Sequence, residues 1–171
     1  MTYRTVMSVL AAVAVCATVT EAAPRHRLGA GVHYWRAVKS IDVDDVDESG
    51  FAPVLSYQYR PMLLLRFGAE VEMLPKQFGG ADTQVYAPAA YVIVGPRLVY
   101  AGLGIGTYYV DGDASKPFYN LRAGVEIPIF IRTRLDINAN YRFNTLDDIA
   151  DVGERIDTDT VTLGAAIRID I

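Results

Sequence analysis

The stretch Thr133–Thr145, TRLDINANYRFNT, decides the fold. Alternate residues are apolar, and those between them are polar or charged: Leu135, Ile137, Ala139, Tyr141 and Phe143 against Arg134, Asp136, Asn138, Asn140, Arg142 and Asn144. A helix would spread both sets around its axis, whereas a β-strand places each set on one side. The period of two therefore predicts a strand with one apolar face and one polar face.

Seven further segments fit this design. They are Leu28–Val38, Phe51–Arg60, Leu63–Met73, Val85–Val94, Leu98–Val110, Tyr119–Ile129 and Val161–Ile171. The segment Val85–Val94 is apolar on both sides, so its facing is ambiguous. The total is eight, an even number, and each segment is near the ~9–11 residues that a tilted membrane strand requires.

The connections between these segments alternate strictly in length. Short links fall at Pro61–Met62, Gly95–Pro96 and Ile131–Arg132, and long ones at Lys39–Gly50, Pro75–Gln84, Asp111–Phe118 and Leu146–Asp159. This rhythm predicts an all-β fold, an eight-stranded antiparallel up-and-down transmembrane barrel with short periplasmic turns and four longer extracellular loops.

Aromatic residues on the apolar face mark both ends of the predicted strands, as in the girdles of membrane barrels. Six lie near the long loops and two near the short turns: Tyr34, Phe51, Tyr109, Tyr119, Tyr141 and Phe143, then Tyr57 and Tyr59. The alternative is a soluble β-protein that uses these rings in its core. Such a protein would not combine an apolar exterior with a charged interior.

Composition sets the remaining limits on fold and partners. The chain has 171 residues, of which 51% are hydrophobic and 21% charged, so one folded domain is expected and a disordered chain is excluded. A net charge of −4 gives no broad basic surface for nucleic acid. Beyond the N-terminal segment no apolar run is long enough for a spanning helix, so a membrane-embedded chain would have to be a barrel.

Residues 1–23 have the three parts of a cleaved secretory signal peptide, which leaves 24–171 as the barrel domain. Arg4 precedes the apolar run Met7–Val19, and the small residues Ala22 and Ala23 follow. The alternative is a lipoprotein anchored through Cys16, the single cysteine. Val15 before it is a poor fit to that processing.

The polar face carries charges of both signs, which are predicted to pair in a narrow lumen because unpaired charges are costly to bury. This lumen network comprises Arg66, Glu70, Glu72, Arg122, Glu126, Asp136, Arg142, Arg168 and Asp170. Eight strands enclose an interior that side chains can just fill. Gly102, Gly104, Gly106 and Gly124 lie on the same face and leave room for a thin water path, so a narrow conduit is an alternative.

Four segments resemble a known family, the small outer-membrane protein β-barrel domains of the OmpA and OmpX type. They are YAGLGIGTYYV at 100–110, LRAGVEIPI at 121–129, LDINANYRF at 135–143 and TLGAAIRI at 162–169. The resemblance implies a bacterial outer-membrane location and contact with outer-membrane lipid and lipopolysaccharide. It also implies an assembly signal for the barrel assembly machinery at Thr162, Gly164, Ile167 and Ile169. Members usually end in an aromatic residue, whereas this chain ends in Asp170 and Ile171.

A structural, envelope-integrity or surface-interaction role is the expected function, with no cofactor. A lipopolysaccharide-modifying enzyme is an alternative, since some eight-stranded outer-membrane barrels remodel lipopolysaccharide. It would need a nucleophile, a base and an orienting acid. His26 is predicted before the first strand, and His33 is predicted in the lumen without an inward serine beside it.

Acidic residues concentrate in two of the long loops. The first contains five acids and one Lys, and the fourth contains six acids and one Arg. A solvated loop is the ordinary interpretation. The sharper hypothesis is that divalent cations bridge lipopolysaccharide phosphates to the first loop, at Asp42, Asp44, Asp45 and Asp47.

Overall fold

The computed structural model describes residues 25–37, 49–76, 78, 81–115, 117–143 and 160–171. Ten strands occur in these residues: β1 His26–Ala37, β2 Ser49–Tyr59, β3 Leu65–Leu74, β4 Val85–Val94, β5 Val99–Gly106, β6 Tyr109–Val110, β7 Asp113–Ala114, β8 Phe118–Phe130, β9 Thr133–Phe143 and β10 Thr160–Asp170. Within the same residues, no helix has the length and apolar character needed to cross a membrane.

The eight long strands form a closed antiparallel barrel. Each pairs with its neighbours in the chain, and β1 pairs with β10, where Val32 lies opposite Ala165. Pairing of β3 with β4 completes the ring. The predicted eight-stranded antiparallel barrel is therefore confirmed, and every predicted strand agrees with an observed one to within a few residues, apart from the fifth.

The fifth predicted strand, Leu98–Val110, is divided into β5 and β6. Both parts pair with β4 in one register, since Ala89 lies opposite Gly106 and Tyr86 opposite Tyr109. Pro88 lies between these pairs and has no N–H to donate, so the ladder opens there. Beyond it, β6 and β7 form a small hairpin whose turn residues Asp111 and Gly112 both have positive φ, at 51° and 94°. An Asp-Gly pair with that geometry matches the right-handed twist of a hairpin.

Outward and inward faces separate as the sequence predicts. Large apolar side chains are exposed along the outside of every long strand, for example Leu103 at 63% and Leu163 at 58%. The buried polar side chains are mostly charged residues, Asn and Thr on the inner face. β4 resolves the ambiguous facing by directing Tyr91 and Ile93 inward and Val92 and Val94 outward.

Two outward-facing aromatic groups differ in detail from the prediction. His26 is the first residue of β1 rather than a residue before it, and its ring lies 5.1 Å from that of Tyr59, while its Nδ1 is 2.7 Å from the Tyr57 hydroxyl. Phe143 is buried, and its ring stacks between those of Tyr119 and Tyr141. The short-turn girdle therefore includes a histidine, and part of the long-loop girdle is a stack of rings.

Candidate functional site: the barrel lumen

Charged side chains fill the lumen at the short-turn end. Glu126 accepts a hydrogen bond from Arg27 Nη1 at 2.8 Å and lies 2.6 Å from Arg66 Nη1. Arg27 Nε also donates to Asp170 at 2.6 Å. These residues come from β1, β3, β8 and β10 and are almost completely buried. Ion pairs thus connect strands on opposite sides of the barrel.

Arg168 and Asp136 form the next level of the lumen. Arg168 Nε lies 3.2 Å from Asp136 Oδ2, and Arg168 Nη1 donates to the Ser56 hydroxyl at 2.8 Å. Asp136 accepts further hydrogen bonds from the Tyr100 hydroxyl at 2.9 Å and from Asn138 Nδ2 at 2.6 Å. The carboxylate is therefore well satisfied.

The middle of the lumen is occupied by Arg122 and Glu70. Arg122 donates from both Nη atoms to the two oxygens of Glu70, one bond measuring 2.8 Å, and from Nε to Asn140. Its guanidinium lies over the Tyr91 ring, 4.0 Å from the centroid, and the Tyr91 hydroxyl donates to Glu70. A two-point contact of this kind fixes both position and orientation.

Nearer the long loops, Arg142 pairs with Glu72. Arg142 Nη2 donates to Glu72 Oε2 at 2.5 Å, and His33 Nδ1 lies 3.2 Å from Glu72 Oε1. The Arg142 guanidinium also lies 4.6 Å from the centroid of the Phe118 ring. Arg142 Nη1 also donates to the Tyr108 hydroxyl, at 3.4 Å, toward the long loops.

Four aromatic residues pack together at the long-loop end of the lumen, and we call them the aromatic cap: Trp35, Phe78, Tyr108 and Phe118. The Trp35 and Phe78 rings meet edge to face at 4.8 Å, Phe78 lies 5.3 Å from Tyr108, and Tyr108 lies 4.6 Å from Phe118. Trp35 and Phe118 are at most 1% exposed. Phe78 belongs to the connection between β3 and β4, so a loop residue completes the cap.

Several inward-facing glycines allow aromatic rings to approach the backbone closely. A Cβ atom on Gly104 would lie 2.5 Å from the Tyr91 ring, and one on Gly124 would lie 2.5 Å from the Tyr100 hydroxyl. Gly106 likewise faces Phe118, and Gly164 faces His33. Aromatic side chains therefore occupy the space beside Gly104, Gly106 and Gly124, where the conduit alternative left room for a thin water path, and a Cβ atom on Gly102 would meet Ile93.

All nine charged residues of the predicted lumen network lie on the inner face and are buried. The structure adds members that the predicted charged network does not include. They are Arg27, Gln58, Tyr91, Tyr100 and Asn120, together with the aromatic cap. Arg27 lies one residue before the predicted start of its strand, and extending the alternation of β1 backwards by one step would have found it.

Other predicted residues divide between the described and the undescribed parts of the chain. Thr162 and Gly164 of the assembly signal face the lumen, whereas Ile167 and Ile169 face outward. Asp42, Asp44, Asp45 and Asp47, like the signal segment 1–23, lie outside the described residues. In the described part, no cluster of three or more His, Cys, Asp or Glu side chains suits a metal ion.

The surroundings of His33 bear on the enzyme alternative. Its ring lies against Glu72 and Gly164. Ser56 bonds to Arg168 and to the Gly29 carbonyl, and the Ser115 hydroxyl bonds to the Tyr108 N–H. Among the described residues the hydroxyls of Ser56 and Ser115 thus bond to other groups rather than to His33.

Comparisons with known structures support the fold. Neisserial surface protein A is 20% identical, covers 88% of this chain and 100% of its own, and has a TM-score of 0.55. A barrel from the de novo design of transmembrane β-barrels is 12% identical, and the match covers 88% of this chain and 98% of the designed chain with a TM-score of 0.51. Ail, the attachment invasion locus protein of Yersinia pestis, is 16% identical, and the match covers 86% of this chain and 99% of Ail with a TM-score of 0.46. No protein-family model and no curated protein matches the chain.

The first two likenesses extend over almost the whole of each compared chain. Together with the closed ring of strands and the exposed apolar exterior, they show that this chain has the fold of a small transmembrane β-barrel of the outer-membrane type. The fold implied by the resemblance in the sequence is confirmed.

Proposed function

We propose that this chain is an integral outer-membrane protein that is closed to solutes and serves envelope integrity or surface contact without catalysis. The observation that carries the proposal is the lumen, where paired charges and seated rings occupy the interior and the aromatic cap covers its long-loop end. Eight strands leave space for little more than side chains. Such a barrel presents only its loops and its apolar outside to partners.

Conductance in a planar lipid bilayer tests this proposal. The purified barrel, inserted at known density, is expected to give no discrete current steps, while a conducting porin in the same bilayer gives them. Reproducible unitary steps from the barrel would contradict closure and favour the conduit alternative. A permeation assay with small apolar solutes in barrel-containing vesicles extends the same test to uncharged cargo.

The non-enzymatic part of the proposal has its own test. Lipopolysaccharide incubated with the folded barrel is expected to retain its acyl chains and sugars by mass spectrometry. Product formation that is lost in His33→Gln would overturn the proposal and identify His33 as the base.

Contact with lipopolysaccharide through divalent cations is the proposed role of Asp42, Asp44, Asp45 and Asp47. Carboxylate oxygens are the ligands that calcium and magnesium prefer. Calorimetry of the folded barrel with calcium, compared with the four Asp→Asn substitutions together, is expected to show heat only for the parent. Equal or absent heat in both proteins would refute this role.

The assembly signal at Thr162, Gly164, Ile167 and Ile169 is proposed to be read by the barrel assembly machinery. Ile167→Ser with Ile169→Ser is expected to lower the outer-membrane yield in cells while refolding in detergent persists. Leu163→Ser is the matched control, because it exposes a comparable polar group on the same outward face of β10. Equal yields from the two proteins would argue against a signal.

Removal of residues 1–23 completes the proposal, because the described barrel begins close after them, with β1 at His26. The intact mass of protein purified from outer membranes is expected to correspond to a start at residue 24, or at residue 23 if cleavage follows Ala22. A mass that includes the segment, or a lipid on Cys16, would contradict it.

A further inference from the structure

The exposed charged side chains at the short-turn end of the barrel are all positive. Arg25 precedes β1, Arg97 lies in the turn between β4 and β5, and Arg132 lies in the turn between β8 and β9. The acidic residues of the strand ends and turns here are all buried in the lumen: Glu126, Asp136 and Asp170. The described outer rim at this end therefore presents cationic side chains and no acidic ones.

The turn between β8 and β9 exposes a run of apolar side chains beside one of these arginines. The register of β8 on β9 shifts between Pro128 and Phe130, so one strand carries an extra residue there. Such a bulge bends the strand and redirects its side chains. Ile129, Phe130 and Ile131 are consequently all exposed, Phe130 at 75% and Ile131 at 98%. The alternation of inward and outward residues ends at this turn, and an apolar tip replaces it.

The other two short turns also expose large apolar side chains, Met62 after β2 and Leu98 before β5. Leu98 directly follows Arg97 and precedes Val99, which belongs to the exposed apolar wall of the barrel. Exposed apolar patches on a protein mark a surface that contacts a partner or a membrane. We call this surface the short-turn rim, which comprises Arg25, Met62, Arg97, Leu98, Phe130, Ile131 and Arg132.

Two features of the short-turn rim indicate what covers it. Its apolar residues continue the apolar exterior without a break, from Val99 to Leu98 and from Ile129 to Ile131, so the hydrocarbon that covers the wall extends to the rim. Its arginines are long enough to place their charged ends in a headgroup layer while their stems remain beside apolar groups. The exposed charges of the β6–β7 hairpin, at the other end of the barrel, are the acids Asp111 and Asp113. A cationic rim at one end only suits anionic headgroups at that end.

We infer that the short-turn rim binds anionic phospholipids of the periplasmic leaflet. Phe130 and Ile131 lie in the apolar part of the interface, and Arg97 and Arg132 donate to phosphate oxygens, which guanidinium groups bind at two points. Basic residues beside a membrane attract anionic lipid in this way. The inference rests on the membrane placement in the proposed function, and it adds the class of lipid and the end of the barrel that recognises it.

Electron spin resonance of lipid probes around the folded barrel tests this inference. The barrel is reconstituted in phosphatidylcholine vesicles with a trace of spin-labelled phosphatidylglycerol or spin-labelled phosphatidylcholine, and the fraction of probe immobilised by the protein is measured. We expect phosphatidylglycerol to associate about twofold more strongly, because basic residues attract anionic headgroups, and we expect salt to weaken this preference. Equal association of the two lipids would overturn the inference alone. Absence of any immobilised probe would contradict the membrane placement as well.

Two variants with the same change of charge locate the preference on the barrel. Arg97→Gln/Arg132→Gln removes two cations from the short-turn rim, so it should abolish most of the preference for phosphatidylglycerol. Arg36→Gln/Lys76→Gln removes two exposed cations near the long loops, so it should leave the preference unchanged. Equal losses in the two variants, or a loss only in the second, would overturn the inference.

A spin label on the rim measures its depth independently of the arginines. Cys16 is the single cysteine, so Cys16→Ser/Ile131→Cys provides one labelling site. The label is expected to collide with oxygen, which enters hydrocarbon, more than with a water-soluble nickel complex. Cys16→Ser/Asp113→Cys is the reference, because Asp113 is exposed in the β6–β7 hairpin, and its label should show the opposite order. A label at residue 131 that is reached mainly by the nickel complex would overturn the inference and favour a periplasmic protein as the partner of the rim.

Discussion

Removing one partner of the Arg122–Glu70 pair should destabilise the barrel strongly. In Arg122→Met the Glu70 carboxylate remains, 6% exposed, without its two-point partner and with only the Tyr91 hydroxyl as a described donor. Breaking a buried pair in this way costs about 3–5 kcal/mol, because an uncompensated charge stays behind. We therefore expect the free energy of unfolding to fall by about that amount.

The double variant Arg122→Met/Glu70→Met provides the internal control. Both charges are absent, and Tyr91 keeps a hydrogen bond from Asn120 at 2.8 Å. Replacing a buried pair by apolar residues of similar volume is often neutral or stabilising, so stability should return to within about 2 kcal/mol of the parent. The assay is urea unfolding in lipid vesicles, read from Trp35 emission. A loss below about 1 kcal/mol in Arg122→Met, or no recovery in the double variant, would refute the reasoning.

Three further predictions concern the rings, the lipid-facing surface and the cap. Gly104→Ala should lower the free energy of unfolding in urea by about 1–3 kcal/mol, because its Cβ would lie 2.5 Å from the Tyr91 ring. Gly68→Ala should be tolerated, because its Cβ would have no neighbour nearer than 3.5 Å. Equal losses in the two variants would contradict the close packing of the ring against Gly104. Leu103→Arg, at the middle of the outward face of β5, should lower the free energy of unfolding in lipid vesicles by about 2–4 kcal/mol. An unchanged free energy of unfolding would indicate that this face lies outside the membrane. Phe78→Ala should shift Trp35 emission to the red and increase its quenching by acrylamide, and an unchanged spectrum would exclude Phe78 from the cap.

The strands were predictable because a barrel wall separates an apolar exterior from a polar lumen. Alternate residues of each strand face one or the other, so apolar and polar residues alternate in the sequence. Thr133–Phe143 shows it directly, with Asp136, Asn138 and Asn140 inside and Ile137 outside. The same pattern located the charged residues of the lumen. Short-range periodicity was therefore enough to predict the wall and the charged residues of the inner face.

The packing inside the lumen was less visible in the sequence, because it depends on contacts between distant strands. Trp35 is an apolar residue on the inner face, where the pattern led us to expect a polar one, and Phe118 belongs to a predicted loop, 111–118. Phe78 reaches the cap from a loop that has no periodicity. Gly104 was interpreted as spare room because the ring that lies over it comes from β4, whose facing was ambiguous. Ion-pair partners such as Arg27 and Glu126 are 99 residues apart, so no local pattern joins them.

The most direct test of the central claim, a closed barrel with an apolar exterior, is gel mobility of the detergent-folded chain with and without boiling, together with far-ultraviolet circular dichroism. The account predicts a change in mobility on boiling and a strand-rich spectrum that requires detergent or lipid. A chain that stays folded and soluble without detergent, with the same mobility before and after boiling, would contradict it.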